Sequence, residues 1–95
     1  MVADLFEWDD EKEAVNLRNH GVSFHDAVVA FRDPFAFEEI DEREDYGEER
    51  IQLLGMCGDR MLHVTYTERE NRIRIISARR AEKNEREDYH CENTF

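Results

Sequence analysis

Three stretches in the second half of the chain, Arg50–Gly55, Met61–Thr67 and Asn71–Ile76, alternate apolar with polar residues, and short polar turns separate them. No other feature constrains the fold as strongly, because successive strands joined by tight turns pair antiparallel and must bury one face. In the first stretch Ile51 and Leu53 alternate with Arg50 and Gln52, and Cys57-Gly58-Asp59 reads as a hairpin turn. In the second, Leu62, Val64 and Tyr66 share one face, while Met61, His63, Thr65 and Thr67 share the other. Glu68–Asn71 turns into the third, where Ile73 and Ile75 share a face and Arg72, Arg74 and Ile76 the opposite one. Phe35–Ile40 reads as a further strand, with a polar loop, Asp41–Gly47, after it.

The first half is punctuated as helices. Asp10 as N-cap with Glu13 three residues on forms a capping-box variant, and Gly21 suits the left-handed position that closes a helix. Ala14 and Leu17, with Val15 a further candidate, supply its buried face. Ser23 caps a second helix through Ala27, Val28 and Phe31, which Asp33-Pro34 ends. After the strands, a last helix is expected from Ala81 to about Tyr89, with Ser77 or Ala78 near its start and residues 93–95 fraying. Trp8, Phe24 and Phe31 are expected in the core. Leu5–Trp8 is a short strand-like stretch, so the fold class is α+β: an antiparallel sheet of three to four strands with two N-terminal helices and one C-terminal helix, all packed on one sheet face.

Ninety-five residues make a single domain, 1–95. The start of the chain lacks a signal-peptide pattern and no apolar run reaches the ~20 residues that span a bilayer, so the expected compartment is the cytoplasm, with no membrane contact. Cys57 and Cys91 are then expected as reduced thiols. Formal net charge is −11, which argues against indiscriminate nucleic-acid binding. Yet Arg60–Arg80 holds six arginines against two glutamates, a basic island in an acidic chain. Solubility and a partner with a basic surface both account for the acidity.

Taken together, Phe6–Asp9, Lys12, Asn16–Phe24, Ala27, Phe31, Asp33-Pro34, Glu49-Arg50, Gly55, Thr65–Arg69, Arg74–Ala81, Glu85–Glu87 and Tyr89 resemble the BrnT family. His-Gly-Val-Ser-Phe followed by Ile-Ile-Ser-Ala-Arg-Arg-Ala is the most specific part of the match. The resemblance implies a RelE-like ribonuclease toxin of a type II toxin–antitoxin pair. It also implies a BrnA-like antitoxin, a ribbon-helix-helix protein that binds DNA, so DNA is met only through the antitoxin, with a toxin–antitoxin heterotetramer as a candidate assembly. Arg50 and the Arg79-Arg80 pair correspond in position to the family's functional basic residues.

Metal-independent cleavage by the ribose 2′-hydroxyl needs a group to take its proton, one to protonate the leaving oxygen, and cations for the phosphorane charge. Arg50, Arg79 and Arg80 suit the last task, since guanidinium forks hold phosphate oxygens bidentately, and helix N–H groups would assist where the strand gives way to the helix. The alternative for Arg79 and Arg80 is salt-bridging to Glu82, Glu85 or the acidic loop. Arg72 and Arg74 are RNA-binding candidates, or else a solvated face paired with carboxylates. Tyr89, His20 and His63 are the candidates for proton transfer, while His25 and His90 read as surface residues. No cofactor is expected, and His90-Cys91 with Cys57 makes a poor metal set. A second reading is a catalytically weak, toxin-like module that binds an antitoxin and tunes operator binding. It is motivated by the charge and by Glu48-Glu49, where the family often carries a basic residue.

Overall fold

The computed structural model describes residues 2–3, 5–41 and 47–93, without the side chains of 2 and 3. The strands are β1 (Val2–Ala3), β2 (Phe6–Glu7), β3 (Phe37–Asp41), β4 (Arg50–Cys57), β5 (Arg60–Arg69) and β6 (Arg72–Arg80). The helices are α1 (Asp10–His20), α2 (Phe24–Phe31) and α3 (Lys83–Glu92). Among the described residues the strands form one sheet in the order β1-β2-β6-β5-β4-β3. The expected antiparallel strands are the meander β3 to β6, joined at Gly58-Asp59 and at Glu70-Asn71, where positive φ at both residues of the second turn matches a two-residue hairpin connection. The sheet exceeds the expected three to four strands because β1 and β2 extend it by two residues each, too short to show a period, and β2 runs parallel to β6. Residues 42–46 of the expected loop and 94–95 of the expected frayed end lie outside the described residues.

Helices cover both faces of the sheet, not one. The main core lies under α2, where Phe24, Ala27, Val28 and Ala30 meet Leu53, Leu62, Val64, Tyr66, Ile75 and Ala78, with Trp8 buried at its edge and Phe31 half-buried against it. At Gly55 the α2 backbone comes so close that an added Cβ would stand 2.4 Å from the Ala30 carbonyl oxygen. On the opposite face Leu54, Met61, Ala81 and Tyr89 form a second, smaller core under α3. This helix starts later than expected, at Lys83, because β6 continues through Arg80. Asn93 closes it, donating to the carbonyls of Tyr89 and Phe35.

In α1 the N-cap is Asp9 rather than the expected Asp10, its carboxylate accepting from the N–H groups of Glu11 and Lys12 while Glu13 accepts from the Phe24 N–H, and Gly21 closes the helix at φ 68° as expected. Its inward residue is not apolar. Ala14 is exposed and Val15 and Leu17 are 44% and 49% exposed, whereas Asn16 is buried. The reason lies in the sheet edge: β2 pairs with β6 only at Ile73 and Arg74, which leaves the later part of β6 without a strand on that side. Asn16 fills the role, its amide donating to the Ala78 carbonyl and accepting from the Ala78 N–H, with a further bond to the Val22 carbonyl. A side-chain amide carries the same donor and acceptor as a peptide, so it completes the ladder at that point.

Candidate active site

Register decides which side chains meet on the α3 face. Along β5 and β6 the ladder partners are Arg69 with Arg72, Thr67 with Arg74, Thr65 with Ser77 and His63 with Arg79. Tyr66 pairs with Ile75 while Thr65 pairs with Ser77, so Ile76 is an extra residue, a β-bulge. A one-residue insertion reverses the alternation beyond it. Arg79 therefore joins Arg72 and Arg74 on the α3 face, and Arg80, the ladder partner of core residue Leu62, turns to the other side. Arg50 lies on the α3 face opposite Asp41.

His63 and Arg79 converge on Glu85, in the first turn of α3. The Glu85 carboxylate accepts two bonds from the Arg79 guanidinium, both 2.8 Å, and one of 2.7 Å from the Glu82 N–H. Its Oε2 lies 3.5 Å from His63 Nε2, which also stands 3.2 Å from Gln52 Oε1. Burial pushes the Glu85 carboxyl up, but the Arg79 and Glu82 bonds and the nearby His63 outweigh it and hold the group below the usual carboxylate range. Glu85 is thus ionised at neutral pH, beside a nearly buried imidazole and a guanidinium. Such a carboxylate orients a histidine and stabilises its protonated form, the support a proton-transferring imidazole needs. The sequence named Glu85 only as an ion-pair alternative for Arg79, which the structure bears out, and not as a site residue beside His63. Its signal was the Glu82-x-x-Glu85 spacing at the helix start, which sends the second carboxylate back toward the sheet.

The other candidates are dispersed. Arg74 reaches Glu7 at 3.7 Å, as the ion-pair alternative had it, and Arg72 is half-buried with one Nη buried and without a hydrogen-bond partner. Arg80 is exposed and lines a shallow depression with Asp59, Arg60 and Arg86. The strand-to-helix junction expected at Arg79 and Arg80 is not there, since both residues are strand and the first helical residue is Lys83. His20 ends α1, exposed, in a groove with Asn19 and Ile76. Tyr89 is buried, and its hydroxyl donates to Asp33 Oδ2 at 2.6 Å. Burial, with Asp33 beside it, pushes its pKa up to about 12, a poor match for a proton donor at neutral pH. Tyr66 is pushed up by burial and by its bond to Glu38, and it too packs in the core.

A family model for the ribonuclease toxin BrnT of type II toxin–antitoxin systems matches residues 8–85. The chain belongs to the BrnT family. The matched span carries Arg50, His63, Arg79, Arg80 and Glu85, and membership in a type II toxin–antitoxin family implies an antitoxin partner for this BrnT chain. A search of curated proteins finds no match. No helix among the described residues is long and apolar enough to cross a membrane.

Proposed function

We propose that this BrnT chain is an endoribonuclease toxin with a RelE-like fold that cuts RNA in the cytoplasm without a metal ion and so inhibits translation. The observation that carries this reading is the juxtaposition of Arg79 and His63 across one ladder rung, both anchored by Glu85, on the face that also presents Arg50, Arg72 and Arg74. His63 takes the proton of the ribose 2′-hydroxyl as that oxygen bonds to phosphorus. The bond to the 5′-oxygen breaks, solvent protonates the leaving oxygen, and the ends are a 2′,3′-cyclic phosphate and a 5′-hydroxyl. Arg79 holds the charge that develops on the phosphoryl oxygens, and Arg50, Arg72 and Arg74 track the neighbouring phosphates. Arg80, His20 and Tyr89 stand outside this site: Arg80 and His20 by position, Tyr89 by burial and its raised pKa. A BrnA-like ribbon-helix-helix antitoxin silences the enzyme by covering the arginine face, in a heterotetramer that meets DNA through the antitoxin.

The test is RNA incubated with purified, antitoxin-free protein in excess chelator, with the ends of the fragments analysed. Cyclic-phosphate ends are expected, and intact RNA with folded protein contradicts the reading. Two observations favour the second reading, a non-catalytic antitoxin-binding module: Glu85 already neutralises Arg79, and the exposed Glu48 and Glu49 precede Arg50. Growth arrest on expression of the toxin alone separates the two, since only the enzyme produces it.

A further inference from the structure

The rung that carries Arg79 and His63 continues through Leu54 of β4 to Phe37 of β3, and the surface changes character along it. A cleft of about 180 Å³ lies between α3 and the β3–β4 side of the sheet, with Phe37 and Leu54 among its apolar lining and His63 at its side. Polar groups come from Glu39 on β3, Gln52 on β4 and Asn84, Glu85 and Asp88 on α3, and no Lys or Arg lines it. Among the described residues no hydrogen bond or ion pair engages the Glu39 or the Asp88 carboxylate, whereas Glu85 is held by Arg79 and Gln52 stands beside His63. The arginines therefore lie at one end of the rung and an apolar, acidic hollow at the other. A phosphate is repelled from the hollow and drawn to the arginines, which leaves the hollow to the base.

We infer that the cleft is a base-recognition subsite that selects guanine on the 5′ side of the cut. The inference rests on the ribonuclease reading above and adds its substrate preference. Phe37 supplies an aromatic ring for a splayed base to stack on, the usual mode by which single-stranded RNA is read. Guanine is the RNA base with two adjacent N–H donors, N1–H and the N2 amino group, on its Watson–Crick edge, and the two oxygens of one carboxylate accept both. Adenine and cytosine set an acceptor beside their donor, and uracil sets its one donor between two carbonyls, so each turns a lone pair toward a negative charge. Neighbouring strands lie ~4.8 Å apart. A guanosine with its base over Phe37 and Leu54 then has its ribose near His63 and its 3′-phosphate toward Arg79, the order in which the reaction needs them.

The test titrates isotope-labelled protein with the 3′-monophosphates of guanosine, adenosine, cytidine and uridine, followed by NMR, and in parallel maps the ends of cleaved RNA. Guanosine 3′-monophosphate is expected to shift the Phe37 and Leu54 signals at about tenfold lower concentration than the other three, with guanine enriched on the 5′ side of each cut. Glu39→Gln with Asp88→Asn is expected to abolish both preferences and keep the native spectrum elsewhere. An equal response to all four nucleotides, or to none, overturns the subsite, and it leaves the ribonuclease reading in place if RNA is still cut. Guanine-selective binding with no cleavage supports the subsite and overturns the ribonuclease reading instead.

Discussion

Arg79 stands opposite His63 on the β5–β6 ladder because Ile76 is one residue too many on β6. With regular alternation from Arg72 and Arg74, Arg80 would share their face and Arg79 would turn to the side packed by α2. The bulge exchanges the two, and the edge beyond it is held by Asn16 bonded to both backbone groups of Ala78. The arginine face thus depends on a bulge beyond which β6 is held at the sheet edge by hydrogen bonds to Asn16.

Glu85→Gln is expected to move the His63 limb of the pH–rate profile toward lower pH. Glu85, 3.5 Å away, favours the protonated imidazole, and it also neutralises Arg79, whose unscreened charge disfavours that form. Glu39 and Asp88, the remaining charged groups of the cleft, favour the protonated imidazole in both proteins and so leave the direction of the shift to Glu85 and Arg79. The measurement is cleavage rate against pH for the folded variant.

Gly55→Ala is expected to destabilise the fold by roughly 1–3 kcal/mol, because the new methyl meets the Ala30 carbonyl oxygen and backbone cannot move aside as a flexible side chain would. Thermal unfolding should show a midpoint lower by roughly 4–8 °C per kcal/mol for a domain of this size.

Tyr89→Phe is expected to cost about 1–2 kcal/mol of stability and to leave cleavage per folded molecule unchanged. Burial pushes the Asp33 carboxyl up, but bonds from Tyr89 and from the N–H groups of Phe35 and Met56 hold it below its ordinary value. A depressed carboxyl contributes stability above its unfolded pKa and loses it as pH falls through the folded one. Tyr89, raised to about 12, contributes below its ordinary value of 10.0 and loses that contribution as pH rises toward 12. Denaturant unfolding across pH should therefore show the widest gap between the two proteins from about pH 5 to 9.

Much of the fold was legible locally. The meander from β3 to β6 followed from alternation and turn residues, and the two N-terminal helices from Gly21 and Ser23, because those signals lie within a few residues of one another. Two-residue strands carry no period, so β1 did not show, and β2 was legible only as the short strand-like stretch Leu5–Trp8, without its parallel pairing to β6. Ala14 and Leu17, with Val15 a candidate, read as an inward face because apolar residues usually are, whereas the edge of β6 needed an amide and took Asn16. For the site, the arginines and His63 were visible as residue types, but their grouping depends on a bulge that no residue in Ile75-Ile76-Ser77 announces. Glu85 was legible as an ion-pair partner for Arg79, but its place beside His63 depends on α3 starting at Lys83 and leaning over β5 and β6.

The most direct test of the account compares Arg79→Ala and Arg80→Ala one at a time, measuring RNA cleavage by antitoxin-free protein whose fold has been verified. The bulge at Ile76 predicts that Arg79→Ala loses roughly 10²-fold or more, as removal of a charge-stabilising donor does, while Arg80→Ala cuts at the wild-type rate. Loss of cleavage in Arg80→Ala with full activity in Arg79→Ala would place the chemistry on the other face and contradict it.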